Sequence, residues 1–154
     1  MSVTSVEFKQ TLGRFLSGVT VIAAEVAGSR HGMTASAFLS VSLDPPLVLV
    51  SIGKSAHMHA VLAAGVPWSA SILAGDQAAL SNHFAGYGEA DVRWILGDLA
   101  PRIDGALAWV QCASHSAHDA GDHTLFVGHV LATGWRDAEP LTYFRGKYRE
   151  LLPG

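Results

Sequence analysis

At 154 residues the chain has the length of one domain, read here as a single unit over residues 1–154, and it can bury a core without disulfide or metal staples. Apolar residues make up 49% and charged residues only 15%, against about 25% charge in an ordinary domain, so a large self-interface, and hence a homodimer, is expected. The net charge of −3 and the lack of any Lys/Arg run argue against nucleic acid, the single Cys112 excludes an intrachain disulfide and fits the cytoplasm, and no signal core or membrane-length apolar stretch is present.

In chain order, Thr4-Ser5-Val6-Glu7 carries a capping-box pattern. Phe8, Leu12, Phe15 and Leu16 follow on one face at helical spacing, a predicted helix ended by Gly18. Val19 to Val26 is apolar and β-branched and reads as a strand, with Ala27 to Gly32 as its turn. Met33 to Leu43 is rich in Ser, Thr and Ala, less regular, and stops at Asp44-Pro45-Pro46. Leu47 to Ile52 is a continuous apolar run and reads as a core strand. His57 to Ala64 reads as a short helix closed by Gly65, Trp68 to Leu73 as a strand, and Asp76 to Ala85 as a helix with Asp76 at its N-cap. Gly86 to Gly105 reads as loop with short pieces of structure. Ala106 to Ser114 and Thr124 to Thr133 read as long strands joined across the polar segment His115 to His123. Leu141 to Phe144 and Lys147 to Leu152 flank a hairpin-like turn at Arg145-Gly146. Six or seven strands with two or three short helices, and no regular alternation, argue against a doubly wound sheet. They favour a mainly β fold, a closed or partly open antiparallel barrel.

Motifs that carry chemistry are few. No G-x-G-x-x-G or G-x-x-x-x-G-K-[ST] cradle is present. Of the eight histidines, His57 and His59 are two apart on a predicted helix and point in different directions. His115, His118 and His123 share a polar loop without a Cys or acidic frame, so zinc spacing is absent and solvated or hydrogen-bonded histidines are expected. Ser36, Ser40 and Ser42 lack a nucleophile elbow and read instead as hydroxyls able to face a polar ligand. Lys54-Ser55 at a strand end pairs a point charge with a hydroxyl, which suits phosphate, although an ordinary turn accounts for it as well. Asp122-His123 on its own reads as a turn with a histidine.

The run Gly32 to Val48, GMTASAFLSVSLDPPLV, resembles the signature of the flavin reductase family, the reductase partners of two-component flavin monooxygenases. Gly18-Val19-Thr20-Val21 precedes it in the family's order. Ser69 to Leu73, Phe84-Ala85-Gly86, Gly121-Asp122-His123, Val127-Gly128-His129-Val130 and Tyr143-Phe144-Arg145-Gly146 follow, so the resemblance covers nearly the whole chain. It implies an FMN-binding split β-barrel, antiparallel with Greek-key connections, formed as a homodimer. It further implies FMN or FAD as cofactor and NAD(P)H as co-substrate. By the family pattern Met33, Thr34, Ala35 and Ser36, with Ser40, Val41 and Ser42, would hold the flavin ring and ribityl chain. Lys54 and Ser55 would bind phosphate, with Asn82, His83 and Phe84 nearby. His123 would stand by the nicotinamide as the catalytic candidate, and Tyr143 and Arg145 would help form the same cleft. Ser71, His83 and His129 replace the family's frequent Asn, Arg and Glu, a less charged contact that favours a shuttling flavin over a fixed one. The implied activity is NAD(P)H-dependent flavin reduction that supplies a partner monooxygenase. The alternatives are an FMN-binding electron carrier without direct NAD(P)H oxidation, and a split-barrel binder of another ligand.

Overall fold

The computed structural model describes residues 1–97 and 99–152; Asp98, inside the expected Gly86 to Gly105 loop, lies outside them. Twelve strands and three helices occupy the described residues. Seven strands form one antiparallel sheet: β3 (Ser29–Ala35), β2 (Thr20–Val26), β6 (Trp68–Ile72), β9 (Ala108–Ala120), β10 (His123–Trp135), β5 (Pro46–Gly53) and β4 (Phe38–Leu43), in that spatial order. The edge strands β3 and β4 are joined only by Ser36 and Ala37. Three Cα–Cα steps reach at most about 11 Å, whereas six spacings in a flat sheet would separate the edges by about 29 Å. The sheet must therefore curl until its edges nearly meet, and since they do not pair, the result is a split antiparallel barrel. β2 beside β6 and β10 beside β5 are neighbours distant in sequence, which supplies Greek-key-type crossings.

The curl makes two cores. Inside the barrel, Ile22, Val50, Ile52, Trp68, Cys112 and Phe126 are buried, and helix α2 (His57–Ala63) plugs the end with Met58, Val61 and Leu62. Outside, Val19, Val21, Leu73, Ile103 and Leu141 pack with helix α3 (Ala78–Phe84) and Trp94. β2 belongs to both cores, which is why its apolar run does not alternate. A second small sheet pairs β1 (Ser17–Gly18) with the hairpin β11 (Thr142–Phe144) and β12 (Lys147–Arg149), and β7 (Trp94–Ile95) pairs with β8 (Arg102–Ile103).

Several expected boundaries move. Helix α1 (Ser5–Leu12) carries the Thr4/Glu7 capping box but ends at Leu12 rather than Gly18: Gly13 and Phe15 donate to Lys9 O and Leu12 O, and Ser17–Gly18 is drawn out to pair with β11. The turn expected over Ala27 to Gly32 is only Ala27-Gly28, with φ of +50° and +79°, so Ser29 to Gly32 is already strand. Asp76 does not cap α3; Gln77 precedes the helix and accepts from Ala74 N instead. The expected polar connection His115 to His123 is two paired strand ends around the tight turn Gly121-Asp122. Pro46 starts β5 rather than ending the preceding segment.

Candidate active site

Two groups of side chains lie along the line where the split barrel's edges approach. The first surrounds a cavity of about 350 Å³ between β3, α3 and the β11–β12 hairpin, lined by Thr34, Ser36, Asn82, Tyr143 and Tyr148 among others. β3 alternates, so Gly32 and Thr34 face α3 while Met33 and Ala35 face the barrel core. Thr34 Oγ1 donates to the Ser81 carbonyl at 2.6 Å and ties β3 to α3. Buried Ser81 Oγ lies 2.6 Å from Tyr148 Oη, which donates to Asn82 Oδ1 at 2.9 Å. Ser81, being able to donate in turn, completes a chain that fixes the amide of Asn82 on the cavity wall. Tyr143 and Tyr148 stand with ring centroids 5.6 Å apart. Ser36 and Val19 also line an adjoining groove of about 760 Å³, whose other walls include Leu12, Phe15, Leu39 and Leu49.

The second group sits where β5 ends beside the β9–β10 hairpin. His123 pairs with Gly53 across the sheet, Lys54 N donates to Asp122 O at 2.9 Å, and Lys54 Nζ meets the Asp119 carboxylate. Asp122 Oδ1 lies 2.7 Å from His123 Nδ1. An ionised carboxylate only accepts, so Nδ1 carries the proton and Nε2, on the side of the ring toward Gly53, is left as an acceptor in the neutral ring. The hydrogen bond from His123, then its charge, hold the Asp122 carboxyl below the ordinary aspartate value. Ser51 N donates to Ala37 O, linking the two groups: from Ser51 to Gly53 is two strand residues, about 7 Å.

The sequence-predicted residues thus divide. Thr34, Ser36, Asn82 and Tyr143 share the first cavity. Lys54, Ser55 and His123 share the second neighbourhood, with Lys54 already matched to Asp119. Met33 and Ala35 turn inward and offer only backbone. Phe84 packs over Gly32 and against Trp94, and His83 Nδ1 meets Gly88 O at 3.1 Å. Ser40, Val41 and Ser42 lie along the edge strand β4, at a bulge, and line neither cavity. Arg145, at the hairpin tip, lines a neighbouring recess rather than the cavity itself. Ser81 and Tyr148 escaped the reading of the sequence. Tyr148 carried one signal, its place two residues beyond the Arg145-Gly146 turn, whereas nothing in sequence distinguishes Ser81 from an ordinary helix serine.

Among the described residues no three His, Cys, Asp or Glu side chains gather as metal ligands; His57 meets His31 at 3.2 Å while His59 turns to Thr124 at 2.7 Å. Burial pushes the Cys112 thiol up to about 12, which removes it as a nucleophile at neutral pH.

The family described as "Flavin reductase like domain" matches residues 12–152. A protein of Rhodococcus sp. named NADH-dependent flavin reductase is 46% identical, over 97% of this chain and 88% of its own length. The reductase component of 4-hydroxyphenylacetate 3-monooxygenase from Thermus thermophilus is 40% identical, over 94% of this chain and 95% of its own. The solved structure of the flavin reductase PheA2 in its native state superposes with a TM-score of 0.95 at 42% identity, covering 98% of this chain and all of that one.

Proposed function

This chain belongs to the family of flavin reductase like domains, and from that premise we propose that it oxidises NAD(P)H and reduces FMN or FAD, supplying reduced flavin to a partner monooxygenase. The observation that carries the reading is the paired cleft. Hydroxyls and an amide from Thr34, Ser36, Asn82 and Tyr148 line one part, and an apolar groove with Phe38, Leu39 and Leu49 continues from it through Ser36. Such a surface fits a flavin, whose ring has an apolar body and a polar edge.

When bound together, the two cofactors supply the hydride chemistry themselves. The chain's part is placement. Backbone groups of Thr34 to Ser36 hold the polar edge of the flavin, helped by Asn82, which the Ser81–Tyr148 chain keeps in one orientation. Tyr143 forms the facing wall. His123, its tautomer set by Asp122, presents Nε2 as an acceptor that orients the nicotinamide amide. Lys54 and Ser55 stand ready for phosphate at the strand end. The name of the Rhodococcus relative supports NADH as donor, and that of the Thermus relative supports a monooxygenase partner. The chain acts as one domain and as a homodimer, supported by exposed apolar side chains on α1 and β4. The cytoplasm suits its single buried thiol, and no described helix is long and apolar enough to cross a membrane.

Steady-state NADH and NADPH oxidation with added FMN, FAD and riboflavin tests the proposal. Flavin-stimulated turnover is expected. No stimulation with either nicotinamide would overturn it, and bleaching of bound flavin only by a separate reductase would establish the carrier reading instead.

A further inference from the structure

Four of the chain's ten Lys and Arg side chains gather beside the first cavity. Lys9, Arg14 and Arg145 line a recess of about 350 Å³, and Lys147 lines the cavity next to it. Gly146 lines both, so the two spaces are neighbours across one residue. The recess is built by a backbone contact: Arg145 N donates to Gly13 O at 2.8 Å, locking the hairpin tip against the end of α1.

Two features describe this cluster. First, the ion pairs among the described residues are Lys54–Asp119, Arg93–Asp91 and His123–Asp122, and none includes these four cations. Four of the eight Lys and Arg side chains outside those ion pairs thus line these two adjoining spaces, on a protein of net charge −3. Second, Arg145 holds φ at +55° in a tight turn, a position that Gly or Asn ordinarily takes. A bulky residue kept in that conformation places a guanidinium where backbone preference would not. Arg14 Nη1 donates to the Gln10 carbonyl and, at 3.4 Å, to Gln10 Oε1, so the Arg14 guanidinium is held against the end of α1.

We propose that this recess binds the pyrophosphate of a dinucleotide whose ring lies in the adjoining cavity, an inference that rests on the function proposed above. Guanidinium groups pair with phosphoryl oxygens through two parallel hydrogen bonds, and lysines add point charge. Three of the four cations stand beside the cavity rather than in it, so they suit the two linked phosphates beyond a ring more than the single phosphate of a mononucleotide. NADH and FAD both carry that group.

The test is the double variant Lys9→Gln/Arg14→Gln, two exposed positions outside the cavity. Inorganic pyrophosphate binding is followed by calorimetry, and KM is measured for NADH, reduced nicotinamide mononucleotide, FAD, FMN and riboflavin. The wild type binds pyrophosphate, and the variant binds it about tenfold more weakly, as loss of charge-assisted contacts implies. KM rises by a similar factor for one dinucleotide at unchanged kcat: NADH if the donor lies here, FAD if the acceptor does. The mononucleotides and riboflavin keep their KM. Absence of pyrophosphate binding in the wild type would overturn the inference, as would unchanged KM for both dinucleotides or an equal loss for riboflavin. A wild type that binds pyrophosphate but oxidises no nicotinamide would refute the functional reading and leave the recess standing.

Discussion

Tyr148 shows how one hydroxyl holds a site together. Its oxygen contacts Ser81 Oγ at 2.6 Å and Asn82 Oδ1 at 2.9 Å, and Ser81 is 1% exposed. Tyr148→Phe strands the Ser81 hydroxyl in the core, at a cost of about 1–3 kcal/mol, and frees Asn82 to rotate. Urea denaturation should report that loss, and a fluorescence titration should show flavin binding weakened several-fold. A variant as stable and as tight-binding as the wild type would contradict the chain of hydrogen bonds. At Asp122 the corresponding argument concerns protons. Its carboxyl titrates below the unfolded value of about 3.9, so whatever the His123 contact contributes to stability is present above that pH and disappears as pH falls through the lowered value. An NMR titration should find the Asp122 carboxyl protonating lower in the wild type than in His123→Ala. Equal values would remove the basis for fixing the His123 tautomer. Thr34 and Ser36 were legible in sequence because a dense, specific motif carries them, whereas Asn82, expected beside Lys54 and Ser55, lies instead on the cavity wall with Thr34 and Ser36. Ser81 was not legible, since its role depends on a partner 67 residues away.

The hairpin of β9 and β10 is the barrel's longest element, thirteen residues in each strand. Its inner half was legible from apolar runs. The outer half of β9, Ser114 to Ala120, is largely exposed, so polar residues fill both faces and no period of two survives to mark it as strand. The Ser29 to Gly32 segment hid for a related reason: it edges the sheet, and Gly, Arg and His conceal the alternation. Helix α1 is shorter than its spacing suggests because Phe15 and Leu16 keep the helical spacing while serving a surface beyond the helix. Within the hairpin, Gly128 is where β10 passes over Trp68. A Cβ there would lie 2.6 Å from Trp68 Cζ2 and 2.7 Å from Cys112 Cβ, both fully buried. Neither side chain has room to retreat, so Gly128→Ala should cost about 1–3 kcal/mol through overpacking. The denaturation midpoint should fall without a change of slope; an unaltered midpoint would mean that the sheet relaxes more freely than its packing implies.

At the scale of the molecule, the apolar excess noted in the composition has a location. α1 buries no residue, and Phe8, Leu12, Phe15 and Leu16 remain 49–80% exposed. On the edge strand β4, Leu39, Val41 and Leu43 are 51%, 48% and 94% exposed. Leu12, Phe15, Leu16 and Leu39 line a single groove, so the two sets form one continuous surface. A soluble monomer rarely leaves such a patch uncovered, and a second copy of the chain would bury it. Leu39→Asp places a carboxylate at the middle of that surface, where desolvation without a partner costs several kcal/mol. Sedimentation velocity at micromolar concentration should therefore find twice the chain mass for the wild type and a monomer for the variant. The groove also shares Ser36 and Val19 with the candidate flavin cavity, so a second copy seated on it would close one wall of the binding cleft. Flavin affinity should fall together with dimerisation in Leu39→Asp and recover at protein concentrations high enough to restore the dimer. A wild type that sediments as a monomer, or a monomeric variant with undiminished flavin affinity, would break the link between the exposed apolar face and the site.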